Sequence, residues 1–424
     1  ALAWYPAFVV ADVVERGDGF GVVYVAAVAW TSAIAGLFVL LAGLRVAGST
    51  RSAVIAAIAI WLGSPLAFYS LRHATMSHAI SAAACAAVVL LCRNSPNAFA
   101  IGMSLGFACA VRPQNITIAL VPFILVPGFL RKAHIALAGA VLAALPELIV
   151  SQVLWGAPFA FVNIGGRAHP WQMFATFRPF ETIFSWYHGL ATWTPLLVLA
   201  IAGLFLLKDR RLALAGLVTF ASQWLVLAAL ERWFWGGASF GQRRFDSCTI
   251  FFILGLAALL ERLPRWLGYL LTLACTSWTM LLFIAAQRLN LNQYQTPREL
   301  LDAFRSADSA WHSFLGYTPP QLRMGVLLGI LLATLTAVLV AILARRWGTI
   351  LAATYLALMS AFFVWCGLHP KFDDATRALI ARPMRSGSAM DTQTLLLYEA
   401  AYMERTGRPT EAARARAEAA AIRP

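Results

Sequence analysis

The chain has 424 residues, of which 60% are hydrophobic and 12% charged, and its mean hydropathy is +0.72. Soluble domains carry about 45–50% apolar and about 25% charged residues, so this composition indicates a membrane protein. The formal charge of +14 does not indicate nucleic-acid binding, because the basic residues are scattered through short loops and form no basic helix or aromatic platform.

The apolar runs, taken in chain order, predict an all-α polytopic transmembrane helical bundle. A crossing helix needs about 20 mostly apolar residues, and on that basis we predict about 12 spans. They lie at residues 22–44, 52–70, 77–92, 97–111, 114–130, 134–154, 190–207, 212–230, 247–261, 266–286, 324–344 and 349–367.

The two ends of the chain differ from this bundle. We divide the chain into a transmembrane domain, 1–367, and an extracytoplasmic tail, 368–424, in which Thr392–Ala421 predicts a small amphipathic helical hairpin. The chain begins at Ala1 without a methionine, and we expect that a first span and a first outer loop precede it.

The charges of the loops predict the orientation. Six short loops, alternating along the chain, each carry one to three basic residues, and the positive-inside rule assigns them to the cytoplasm. The opposite set includes the long loops and contains many aromatic residues and six of the seven histidines. We therefore expect a multi-pass protein of the cytoplasmic (inner) membrane whose working face is periplasmic or extracytoplasmic.

The six cysteines predict neither disulfides nor a zinc site. None forms a CxxC pair, and most lie within or beside apolar segments, as small buried hydrophobes do. We predict no metal ligands in this chain and leave the cofactor unknown, with a divalent metal ion possible.

Two outer-face clusters precede the long aromatic loop. The first contains His73 and His78; they are five residues apart, which is a poor spacing for a helical metal pair. The second is a turn with Arg112 and Gln114. An arginine beside hydrocarbon needs an anionic partner, and either a lipid-linked phosphate or a carboxylate on a neighbouring helix satisfies it, unless the side chain snorkels to the surface.

Two further clusters follow. The third, residues 177–189, contains Arg178 and His188, and the fourth, residues 231–246, contains Glu231 and the pair Arg243 and Arg244. Guanidinium groups bind phosphate in a bidentate geometry. We therefore predict donor-phosphate binding by Arg112, Arg178, Arg243 and Arg244, and a possible substrate site at His73, His78, Gln114, His188 and Glu231.

Four short motifs carry a resemblance to a known family: Met76–Ala79, Arg112–Asn115, His188–Pro195 and Gly236–Arg244. At these residues the chain resembles bacterial GT-C glycosyltransferases, which are multispan enzymes related in fold to protein mannosyltransferases and the lipid A aminoarabinose transferase. The resemblance extends from Ala1 to about residue 265, and beyond that only the hydropathy agrees.

The resemblance implies a reaction at the outer face. A sugar would pass from a polyprenyl-phosphate donor to a lipid, glycan or protein acceptor by an inverting displacement, with the arginines binding the leaving phosphate. The acidic catalytic residue of the family lies in its first outer loop, and Asp12, Glu15 and Asp18 come too late to match it. The catalytic residue is therefore unknown, and we expect it to precede this chain.

Two other functions remain open. A transporter or flippase of lipid-linked sugars should show paired broken helices in two repeated halves, and the sequence has no internal repeat and almost no mid-span charge. A non-catalytic membrane assembly factor is the third candidate. Turnover of a lipid-linked donor distinguishes the enzyme from both.

Overall fold

The computed structural model describes most of the first 305 residues. The described ranges are 22–48, 50–71, 76–155, 158, 177–230, 240–288, 296–305 and 348–355, with single positions between 400 and 420. Several predictions lie outside them: the span at 324–344, most of the span at 349–367, nearly all of the tail from 368, and the site residues His73 and Glu231.

All regular secondary structure in the described ranges is helical, as predicted. The helices are α1 Val22–Ala47, α2 Arg51–Leu62, α3 Pro65–Leu71, α4 His78–Asn94, α5 Ala98–Val111, α6 Leu120–Leu125, α7 Ala133–Trp155, α8 Pro179–Phe184, α9 Leu190–Trp193, α10 Pro195–Leu204, α11 Arg210–Leu230, α12 Thr249–Arg262, α13 Arg265–Arg288 and α14 Pro297–Arg305. Short 3-10 helices span Pro113–Ala119, Phe129–Lys132 and Arg243–Cys248.

Four of these helical segments are long and apolar enough to cross a membrane. They are Trp30–Ala47, Phe129–Gln152, Arg210–Ala229 and Arg265–Phe283. The chain is thus an all-helical protein compatible with a membrane, whereas the predicted number of about 12 full spans exceeds what these segments show.

Two predicted spans are interrupted by proline. The segment 52–70 consists of α2 and α3, and the segment 190–207 consists of α9 and α10. In each case the second helix starts at a proline, Pro65 or Pro195. Proline lacks an N–H and favours the first helical turn, so these residues begin new helices where hydropathy alone indicated continuous ones. The segment 114–130 begins as a 3-10 helix that starts at Pro113, just before the predicted span.

Glycines allow the closest helix pairs to form. A Cβ atom on Gly102 or Gly106 of α5 would lie 1.9 or 2.0 Å from the carbonyl oxygen of Ala136 or Ala140 on α7. Small residues four apart permit this backbone approach between helices in membranes. Helices α10 and α12 meet in the same way at Gly203 and Gly255.

Contacts among the described loops place some members of the two predicted sets at opposite ends of α4 and α12. At one end, Arg93 forms an ion pair with Asp209 (2.9 Å) and Thr50 hydrogen-bonds to Glu261 (3.3 Å). At the other end, the start of α4 contacts the residues that precede α12. Helices α4 and α12 therefore run from one set of loops to the other, as the predicted alternation requires.

Candidate functional site

A buried ionic cluster joins three chain segments at the end of the bundle opposite the short basic loops. His78 is the first residue of α4, Arg112 follows the last residue of α5, and Asp246 lies in the 3-10 helix Arg243–Cys248. The Oδ2 atom of Asp246 lies 3.1 Å from Nδ1 of His78 and 3.5 Å from Nη1 of Arg112. Arg112 Nη1 also lies 2.9 Å from Nε2 of His78, which closes the triangle.

The cluster shows which group compensates the positive charge of Arg112. Only 13% of the Arg112 side chain and 6% of the Asp246 side chain are exposed, so the arginine does not snorkel to the surface. Its anionic partner is a carboxylate on a neighbouring element. The additional use of Arg112 in phosphate binding stays a prediction.

Further hydrogen bonds hold the carboxylate in place. The backbone N–H of Ser247 donates to Asp246 Oδ1 (2.9 Å), and the Ser81 hydroxyl also bonds the carboxylate. Asn115 Nδ2 in turn bonds Ser81 Oγ (2.8 Å) and the carbonyl oxygen of Ala108 (2.9 Å). Because each member is fixed by another, the network orders the junction of α4, α5 and the 3-10 helix.

The environment of Asp246 shifts its acidity. Burial raises its pKa to about 6, against the opposing effects of the Arg112 charge and of the hydrogen bonds from Ser81 and Ser247. Asp246 is therefore mostly a carboxylate at neutral pH, and the adjacent arginines are what make a buried charge tolerable.

Tyr69, at the end of α3, connects this cluster to Arg243. Its hydroxyl accepts hydrogen bonds from the Phe240 backbone N–H (2.9 Å) and from Arg243 Nη1 (3.4 Å). The Arg243 guanidinium carbon lies 5.7 Å from the centre of the Tyr69 ring, within the range of a cation–π contact. The same ring lies 4.1 Å from the His78 imidazole. Tyr69 thereby sets the position of Arg243 relative to the Asp246 cluster.

Arg244 is anchored through its backbone. Its carbonyl oxygen accepts hydrogen bonds from Gln114 Nε2 (3.4 Å) and Gln223 Nε2 (3.2 Å), and Thr117 donates to the Gln223 side chain (2.9 Å). Gln114 thus has a positioning contact within the chain. The predicted contact between Gln114 and a substrate stays a prediction.

His188 has an unusual environment. It is fully buried, its backbone has φ of 56°, and its ring stacks on Trp193 with centroids 4.1 Å apart. Neither of its ring nitrogens has a hydrogen-bond partner in the described part of the chain. Burial, and to a smaller degree the charge of Arg243, lowers the pKa of His188 to about 3, so its imidazole is neutral at physiological pH.

A small cavity with several polar groups in its lining lies beside these residues. Its volume is about 20 Å³, and its lining includes Ser64, Tyr69, His78, Arg243 and Asp246. A cavity of about 10–15 Å³ with several polar partners holds one water molecule, so this space suits a single water-sized species. A sugar does not fit in it.

The structure brings most of the predicted site residues together. His78, Arg112, Gln114, Arg243 and Arg244 belong to one contact network, and Arg243 also acts on His188 through its charge. Arg178 is exposed at the start of α8, where its backbone N–H donates to the Ala228 carbonyl, and its predicted role stays untested.

Asp246 and Tyr69 are the principal site residues that we did not predict. The need of Arg112 for an anion was a signal for a carboxylate, but it did not identify which one. Nothing in the spacing of the sequence distinguished Tyr69 from other interfacial tyrosines.

The charged side chains of the site and its potential metal ligands indicate what kind of group it can bind. The charges of Arg112, Arg243 and Arg244 all act on His78, so the site brings three guanidinium groups together. Guanidinium groups are preferred binders of anions such as phosphate. In the same described ranges, no group of three or more His, Cys, Asp or Glu side chains lies close enough together to hold a metal ion. Comparison with protein-family models, with curated proteins and with solved structures gives no match to this chain.

Proposed function

We propose that the chain transfers a sugar from a polyprenyl-phosphate donor to a lipid, glycan or protein acceptor at the outer face of the cytoplasmic membrane. The observation that carries this proposal is the convergence of residues from separate segments. Residues chosen from sequence as donor-binding candidates, in the second and fourth clusters, form one contact network with His78, Tyr69 and Asp246.

The arginines have different roles in this proposal. Arg112 forms an ion pair with Asp246, so its role is to hold the network together. Arg243 and Arg244 supply the cationic groups for the leaving phosphate. Preorganised positive charge at a developing anion is among the largest contributions to catalysis, because no solvent has to reorganise during the reaction.

We expect the base for the acceptor hydroxyl to be a residue other than Asp246. The Asp246 carboxylate is buried, forms an ion pair with Arg112, lies 3.1 Å from His78 Nδ1 and accepts from the Ser247 N–H. A general base must lie within reach of the proton that it removes, and these contacts already occupy the carboxylate.

The test is donor turnover by the purified full-length protein. It would be incubated with radiolabelled polyprenyl-phosphate sugars and a membrane acceptor extract, and release of the sugar from its carrier would be followed. We expect release by the wild type and a loss of about 10²-fold in Arg243→Ala and Arg244→Ala, the loss typical of removing one charge-stabilising group. Arg298→Ala is the matched control, because that side chain is 91% exposed on α14.

Each other outcome contradicts part of the proposal. Wild-type turnover in both arginine variants would remove them from the phosphate site. Absence of release with every donor would remove the transferase activity, and vesicle translocation of the same lipids would then test the transporter alternative.

A further inference from the structure

The small cavity beside Asp246 has room for one small species. Its volume is about 20 Å³, and it lies where the break between α2 and α3 meets the 3-10 helix Arg243–Cys248. The lining side chains Ser64, Tyr69 and Phe252 are buried. A cavity of about 10–15 Å³ is enough for one water molecule, so this space admits a water molecule or a monatomic ion and excludes a sugar, a lipid chain or a segment of polypeptide.

The polar groups of the lining decide between water and an ion. Asp246 contributes a carboxylate, Arg243 a guanidinium, and Ser64 and Tyr69 contribute hydroxyl groups. A cation in this space would be repelled by the guanidinium, and an anion would be repelled by the carboxylate. Water is neutral and both donates and accepts hydrogen bonds, and a buried water typically makes about three of them. The mixed lining therefore favours water.

Ser64 has one hydrogen bond at this cavity wall and the capacity for another. Its Oγ accepts from the Leu66 backbone N–H (3.2 Å), so its side chain caps the start of α3. A hydroxyl group also carries one hydrogen to donate. In the described ranges, no contact supplies an acceptor for that hydrogen. Because a buried donor without a partner is costly, a water molecule in the cavity stabilises Ser64 in this position.

We propose that the cavity binds one water molecule, which links Ser64 to Asp246 and Arg243. Such water-mediated bonds are nearly as strong as direct ones. Ser64 is then a positioning residue for Arg243, the arginine assigned above to the leaving phosphate. This role of Ser64 rests on the proposed function, whereas the water site itself does not.

Radiolytic labelling of the full-length protein tests the water site without any turnover. A brief X-ray pulse converts bound water to hydroxyl radicals, which oxidise the side chains that touch it, and mass spectrometry locates the added oxygen. Tyr69 and Tyr355 are matched probes, because 2% and 1% of these residues are exposed and, of the two, only Tyr69 lines the cavity. We expect oxidation of Tyr69 and none of Tyr355. Equal oxidation of the two tyrosines would overturn the water site.

Two substitutions of Ser64 separate the water from the cap of α3. Both Ser64→Ala and Ser64→Val remove the bond to the Leu66 N–H, so a general effect on folding is common to them. Valine fills the cavity and alanine does not. We therefore expect Tyr69 oxidation to be lost in Ser64→Val and retained in Ser64→Ala, with unchanged elution in size-exclusion chromatography. Retained oxidation in a folded Ser64→Val protein would overturn the link to Ser64, and protection of wild-type Tyr69 by sodium chloride would show an ion in place of water.

Donor turnover tests the positioning role separately. Arg243 is proposed to stabilise charge that develops on the leaving phosphate, so its displacement should lower kcat more than it changes KM. We expect this pattern in Ser64→Val. Wild-type kcat in a folded Ser64→Val protein that has lost the water would overturn the positioning role. If the wild type turns over no donor, the proposed function fails, and the labelling of Tyr69 still decides the water site.

Discussion

At the scale of single residues, the cluster is defined by the dependence of Arg112 and Asp246 on each other. Each side chain is buried, and desolvation opposes the charged form of each. Removing one member of such a pair leaves an uncompensated buried charge, which typically destabilises a protein by about 3–5 kcal/mol. The pair therefore constrains the fold whether or not it also takes part in binding.

Asp246→Asn tests this dependence. The substitution keeps the shape of the side chain and removes the negative charge that faces Arg112, so we expect the free energy of unfolding to fall by about 3–5 kcal/mol. Thermal unfolding of the detergent-purified protein would show this as a lower Tm.

The control is an exposed ion pair in the same chain. Asp209 lies 2.9 Å from Arg93, and 35% and 41% of the two side chains are exposed. Exposed pairs contribute about 0–1 kcal/mol, so Asp209→Asn should change the Tm little. Equal effects of the two variants would mean that Arg112 finds another anion when Asp246 loses its charge.

His188 gives a prediction about pH. Its pKa is lowered to about 3 in the folded chain, so the unfolded chain binds the extra proton first as the pH falls. The stability that depends on neutral His188 is therefore fully present above the usual histidine pKa of about 6.5 and is lost as the pH falls toward 3, by about 1.4 kcal/mol per pH unit.

The matched variant is His188→Asn, because asparagine tolerates the positive φ of this position. Unfolding would be measured for both proteins between pH 4 and pH 7, and we expect a steeper loss of stability in the wild type. The raised pKa of Asp246 acts in the opposite direction between its ordinary value and about 6, but it is common to both proteins and cancels in the comparison. Parallel pH profiles would contradict the buried neutral histidine.

The sequence predicted much of this residue-scale chemistry but not its geometry. Arg112, Arg243 and His78 were identifiable because charged or titratable groups beside hydrocarbon need partners. Their partners could not be identified in the same way. Asp246, the partner of Arg112, lies 134 residues away from it along the chain, and Tyr69, the partner of Arg243, lies 174 residues away. Only the tertiary fold determines which acceptor meets which donor.

At the scale of helices, hydropathy predicted the existence of the elements better than their continuity. The long apolar segments within the described residues are helical, but Pro65 and Pro195 each begin a new helix within a predicted span. Hydropathy averaged over about 20 residues is not sensitive to the one backbone N–H that a proline lacks. These breaks have a consequence, since the break at Ser64 and Pro65 lines the small cavity beside Asp246.

The glycines of α5 give a prediction at this scale. A methyl group on Gly106 would lie 2.0 Å from the backbone oxygen of Ala140, so α5 and α7 would have to move apart. We expect Gly106→Ala to destabilise the protein by about 1–3 kcal/mol, as overpacking typically does, and to lower the Tm.

Gly268→Ala is the corresponding control on α13. The added methyl would come closest to the end of the flexible Leu260 side chain, at 2.9 Å, which rotates at little cost. Alanine is also favoured over glycine within a helix by about 0.5–1 kcal/mol, so the Tm should stay or rise. A Gly106→Ala protein as stable as Gly268→Ala would show that α5 and α7 do not pack at this distance.

At the scale of the whole molecule, the arrangement separates two kinds of loop. Contacts among the basic loops, such as the pair Arg93 and Asp209, lie at one end, and the ionic cluster with Arg112 and Asp246 lies at the other. The charge bias of the sequence predicts which end faces the cytoplasm, because short basic loops remain on that side.

Cysteine labelling tests the orientation, at positions chosen by the exposure of their side chains in the structure. Phe240, within the fourth cluster, is fully buried and would not react. Trp186 is 64% exposed in the predicted outer loop, and Leu130 is 76% exposed at the predicted cytoplasmic end of the span 114–130. In a cysteine-free background, Trp186→Cys should react with a membrane-impermeant maleimide in intact cells, and Leu130→Cys should react only after permeabilisation. The reverse pattern would invert the topology and place the arginine network in the cytoplasm, where an outer-face sugar transfer is impossible. Equal labelling of both positions in intact cells would mean that Phe129–Gln152 does not place Leu130 behind a membrane barrier.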